Sequence, residues 1–140
     1  MKEDFMLDIS IEPLEYVIKS YKNLDRPKKD QMTVVIKNLS GRDESAISTR
    51  VAQDIEQYKQ SLAKGAKERP WIELYSEYKN KWDFCYRIKE FKNFTFKIDG
   101  EVKKFTDPLE LFNYEHKTTH DIALELVFYF KQLDTLPVKN

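Results

Sequence analysis

His116 and His120 are the only histidines of the chain and stand four residues apart, a spacing at which two imidazoles on one helix face can clamp a metal ion. Glu115 and Asp121 flank them and would complete a ligand set. The surrounding residues argue otherwise. Thr118 with Asp121 reads as the capping pair of a helix, which leaves His116 in the loop before it. The reading is two surface histidines near a helix start, and no metal is assigned. Cys85 is the only cysteine, so neither an intramolecular disulfide nor a thiolate cluster can form. It sits among Trp82, Phe84 and Tyr86, where a thiol behaves as a small apolar side chain and not as a nucleophile. The glycines, Gly41, Gly65 and Gly100, are isolated and assemble no phosphate-cradling loop. The acid pair Asp43-Glu44 falls at a helix start, where the dipole accounts for it. The expectation is a protein that is not an enzyme, with no cofactor and no small-molecule substrate.

What remains is a polarised aromatic region. Fifteen of the nineteen aromatic residues lie between Trp71 and Phe130. From Lys79 to Lys104 there are eight basic residues and four acidic ones, whereas Thr106 to Phe128 holds five acids and one lysine. A basic sheet face beside acidic helices orients an oppositely charged partner and speeds its docking. On this reading Tyr75, Tyr78, Tyr86 and Phe94 are ring anchors, while Arg87, Lys89, Lys92, Lys97, Lys103 and Lys104 steer. Lysines interleaved with Phe and Tyr on strands also match a platform for single-stranded nucleic acid, on which bases stack. That alternative would need a glycine-rich, ring-bearing central strand for the best-known four-stranded readers, and the chain has none. A simpler account needs no partner at all: alternate rings point inward as core, and lysines on the other face keep the sheet in water.

The bulk numbers bound these options. One domain spanning residues 1–140 is the expectation for a chain of 140 residues. With 41% apolar and 34% charged residues, it can build a packed core. The net charge of zero lacks the basic excess on which duplex-DNA binders depend. The opening Met1-Lys2-Glu3-Asp4 is acidic and does not read as a signal peptide. No apolar run approaches the length of a membrane span. A cytoplasmic setting follows, and no membrane partner.

The elements that must hold these residues read as follows. Phe5 to Ile11 is a short strand. Glu12-Pro13 opens a helix carrying Leu14, Val17, Ile18, Tyr21 and Leu24 on one stripe. Met32 to Leu39, β-branched at its centre, is a second strand. Ile47, Val51, Ile55, Tyr58 and Leu62 form the clearest amphipathic helix, ending near Gly65. From Pro70 two periods compete. A helix to about Lys79 and a strand from Trp82 to Phe91 is the reading, because Trp82, Phe84, Tyr86 and Ile88 alternate with polar residues. Phe94, Phe96 and Ile98 alternate again, and Asp99-Gly100 is a hairpin turn returning through Glu101 to Phe105. Together these give a three-stranded antiparallel meander. Asp107, Pro108 and Glu110 start a short helix, and a final helix runs from Thr119 to about Leu133.

The fold class is therefore α+β: a small antiparallel sheet, the meander from about 82 to 105 plus N-terminal strands, packed against four or five helices. The expected function is that of a non-catalytic protein-binding accessory protein. It is similar in type, though in no motif, to phage-encoded accessories: an assembly or tail-baseplate factor, or an inhibitor of a host protein, in the host cytoplasm or the virion. Self-association is a further expectation, since an open meander leaves an edge strand to pair.

Overall fold

The computed structural model describes residues 14–135. The fold is α+β. Among the described residues it comprises four helices, a three-stranded antiparallel sheet ordered β1-β2-β3, and a separate antiparallel hairpin of β4 and β5. The strand expected from Phe5 to Ile11 lies outside the described residues.

Leu14–Val17 forms β1, where the sequence reading placed a helix. It pairs antiparallel with β2, Thr33–Ile36, setting Tyr16 opposite Val34 and Val17 opposite Thr33. The chain reverses at Tyr21 and Lys22, both left-handed at φ 58° and 57°, which a right-handed helix does not admit. The supposed stripe is split accordingly: Ile18 is buried and Leu24 exposed. Sheet pairing has overridden local spacing. The buried Asn23 side chain secures the reversal. It donates to the carbonyls of Ile18 (2.7 Å) and Met32 (3.0 Å) and accepts from the Met32 N–H (2.8 Å).

Helix α1, Gly41–Ser61, begins with a reciprocal capping box between Ser40 and Asp43. It buries Ile47, Val51 and Ile55, three of the residues that set its period in the sequence. Helix α2, Trp71–Arg87, absorbs most of the segment read as a strand and passes straight into β3, Ile88–Lys92. The apparent alternation has a helical explanation. Trp82 and Tyr86 lie i, i+4 on the face toward α1, while Phe84 points from the other side of the helix into the main core, which Ile88 joins from β3.

β3 pairs with β2, so the first strand of the expected meander belongs to the other sheet. The break falls at Asn93, left-handed at φ 63°, whose amide donates to the carbonyls of Lys29 (2.8 Å) and Gln31 (3.0 Å). β4, Thr95–Ile98, and β5, Glu101–Lys104, form the hairpin where it was expected, turning at Asp99-Gly100 with φ 51° and 85°. Both positive values suit a type I′ turn, whose twist matches that of the strands.

Helix α3, Pro108–Asn113, is capped by Asp107 through the Leu109 N–H. Helix α4, Lys117–Thr135, starts earlier than expected. His116 acts at its start: its Nδ1 accepts from the Thr118 N–H (3.2 Å) and its carbonyl from the His120 N–H (2.9 Å). Thr118 was the expected cap. Two apolar clusters result. The main one joins the inner face of the sheet (Val34, Ile36, Phe91) to Phe84 of α2 and to Ile122, Leu126 and Phe130 of α4. The second seals α1 against α2.

Candidate docking surface

Burial pushes the Cys85 thiol up to about 12, which keeps it protonated at neutral pH. His116 is engaged at the start of α4, and His120 lines an apolar groove of about 170 Å³ between α2, α3 and α4. Among the described residues no three His, Cys, Asp or Glu side chains converge to hold a metal. A second groove of about 240 Å³ between α1 and α2 is lined by Tyr75, Lys79 and Asp83, but Lys79 is already bound to Asp83 at 2.8 Å.

The aromatic anchors proposed from the sequence do not form one exposed face. Phe94 is buried, 1% exposed, stacked on Phe91 with centroids 4.4 Å apart. Phe96 and Phe105 meet edge to face at 5.6 Å and close the underside of the hairpin. Tyr78 and Tyr86 are half-buried and turn toward α1, and Tyr75 stacks on Trp71 at 5.0 Å on the same helix. Long α2 explains the dispersal: it carries three of the four anchors away from the sheet. Rings that were candidates for a surface serve largely as core.

The basic residues divide similarly. Arg87 is buried, paired with Asp134 and set 5.8 Å from the Phe130 ring centroid. Lys92 pairs with Glu15 at 2.7 Å, and Lys103 with Glu110 at 3.3 Å. Lys89, Lys97 and Lys104 are exposed and have no ion-pair partner among the described residues. Lys97 and Lys104 come together on the hairpin.

The hairpin geometry decides which atoms it offers. The cross-strand pairs are Thr95 with Lys104, Phe96 with Lys103, Lys97 with Val102 and Ile98 with Glu101. In a two-residue hairpin the pair closing the turn exchanges hydrogen bonds, and bonded and non-bonded pairs then alternate. The hydrogen bond from the Phe105 N–H to the Phe94 carbonyl (2.8 Å) agrees with that register. Thr95, Lys97, Val102 and Lys104 therefore occupy the non-bonded positions, with N–H and C=O pointing away from the partner strand. The side chains of these same residues are all exposed. Val102, at 73%, is the most exposed large apolar residue among those described. Among the described residues, an outer face with an apolar centre and two ammonium groups lacking ion pairs is thus joined to backbone donors and acceptors that no other element uses.

Sequence reasoning named Lys97 and Lys104 but passed over Val102. The signal was available in the turn: Asp99-Gly100 sets the register, and the register sets the outward residues. Other exposed apolar side chains are Leu124 and Phe128 on α4, Trp71 and Ile72 at the start of α2, and Leu14, Tyr21 and Leu24 before β2. Among the described residues, no helix is long and apolar enough to cross a membrane.

No family model matches this chain, and neither a curated protein nor a solved structure matches it.

Proposed function

We propose that this chain is a non-catalytic protein-binding accessory protein that docks through the outer face of the β4–β5 hairpin. One observation carries the reading: Lys97 and Lys104, without ion-pair partners among the described residues, flank Val102 on an exposed strand surface. An open strand face bearing two ammonium groups without a counter-charge among the described residues suits a surface completed by another macromolecule of opposite charge. The nucleic-acid alternative loses support because Phe94 and Phe105, rings that would stack bases, are buried. The working compartment we propose is the cytoplasm, of a cell or of a phage-infected host.

The test compares capture on immobilised wild-type protein with capture on the Lys97→Glu/Lys104→Glu double variant, in the presence of nuclease. A protein retained by the wild type and lost from the variant is the expected result. Equal retention overturns the docking face. A labelled single-stranded oligonucleotide that binds the wild type at low salt, and releases steeply as salt rises, would instead favour the nucleic-acid reading.

A further inference from the structure

We infer that the free edge of β5 receives an extended, acidic segment of the partner as an added antiparallel strand. The inference rests on the docking reading above and specifies its chemistry. Strand addition needs a row of backbone groups that the host sheet does not use. The non-bonded positions Val102 and Lys104 of β5 provide that row, as the hairpin register establishes. Neither residue makes a backbone hydrogen bond to another element among the described residues.

Side chains then select the occupant. A strand laid beside β5 places its own alternate side chains next to Val102 and Lys104 on the outer face. An apolar residue beside Val102 covers the exposed valine, and an acidic residue beside Lys104 forms a cross-strand ion pair. Lys97, opposite Val102 on β4, adds a second positive charge within a long side chain's reach. A second copy of this chain is disfavoured as the occupant. Symmetric pairing of two β5 edges, centred on Lys103, would set each Lys104 opposite the other copy's Val102 and supply no acid to it, and lysines on an edge commonly block self-pairing. The charge that repels a like strand attracts an acidic one.

The probe is a labelled peptide of alternating Val and Glu, compared with the same peptide N-methylated at alternate amides so that one edge loses its donors. The chain carries one of three changes: none, Val102→Pro, or Lys97→Glu/Lys104→Glu. Val102 is at a non-bonded position, so proline there removes an outward N–H without breaking a rung of the hairpin. The expected result is that the unmodified peptide binds wild type, and that Val102→Pro and N-methylation each weaken binding about tenfold or more. Circular dichroism of the Val102→Pro variant should match wild type, and the N-methylated peptide tests the same contact on an unaltered chain. Equal binding of the N-methylated and unmodified peptides to wild type, with loss on charge reversal, overturns strand addition but leaves the docking face standing. Undiminished binding to the charge-reversed protein removes both. Failure of the unmodified peptide to bind wild type at about millimolar concentration overturns the acidic-strand assignment.

Discussion

Glu125 accepts hydrogen bonds from the Tyr16 hydroxyl (2.7 Å), from the N–H groups of Lys19 (2.7 Å) and Ser20 (3.0 Å), and from the Ser20 hydroxyl. One carboxylate on α4 thereby ties down the end of β1 and the turn after it. Burial on its own would raise this carboxyl, but the bonds from Ser20, Lys19 and Tyr16 together outweigh it and hold the group below its ordinary value of 4.5. The sign of the pH effect follows. The unfolded chain takes up this proton first as pH falls, so the Glu125 contribution is complete above pH 4.5 and disappears through the lower folded value. Glu125→Gln keeps the shape while removing the charge and leaving donors poorly matched. It is expected to cost about 2 kcal/mol at neutral pH by urea denaturation, and to flatten the acid limb of the stability profile. An unchanged acid limb would mean that Glu125 adds nothing to the attachment of β1.

At the scale of elements, α1, β2, the hairpin, α3 and the body of α4 were legible because each carries local signals that agree. The capping box at Ser40, the Asp99-Gly100 turn and the Asp107-Pro108 start are examples. β1 was not legible: Tyr16 and Ile18 reach the core only because β2 lies alongside, a long-range fact absent from local spacing. The end of α2 was ambiguous for another reason. A helix packed on two sides places apolar residues at i, i+2 and i+4, which mimics strand alternation. Lys97 and Lys104 could be found from the charge pattern, but burial of Phe94 depended on β3 leaving the hairpin for β2. The helical assignment of α2 makes its own prediction. Phe84, fully buried in the main core, should cost about 3–5 kcal/mol on replacement by alanine. Trp82 is half-buried, with Arg50 and Lys81 5.0 and 4.8 Å from its ring centroid and Asp54 accepting from its indole N–H at 2.7 Å. Its alanine variant should lose less. Denaturation of the two variants measures the difference, and equal losses would contradict the two-faced packing.

Across the whole molecule, α2 is a wall shared by two clusters. Toward α4 and the sheet it presents Phe84, and toward α1 it presents Leu74, Tyr78 and Trp82. Among the described residues the α1 cluster contains four buried ones, Ile47, Val51, Ile55 and Leu74, against fourteen in the main cluster. Loosening one side should therefore not loosen both equally. Ile55→Ala is expected to raise amide hydrogen exchange in α1 by about tenfold or more while β2 and α4 keep most of their protection. Leu126→Ala, in the larger cluster, should lower protection throughout. If Ile55→Ala exposes every element alike, the clusters open as one unit. The hairpin is anchored to the larger cluster through Phe96 and Phe105, so the docking face we propose on it should survive the loss of α1 packing.

The join between α2 and β3 leaves no slack: Arg87 ends the helix and Ile88 begins the strand. One extra residue there would either rotate the helix by about 100° or turn the strand over. In the second case Phe91 would face outward and its neighbours Glu90 and Lys92 inward. Lineages of this protein should accordingly drift by replacement at this junction and conserve its length, with insertions and deletions gathering in the Leu62 to Pro70 connection.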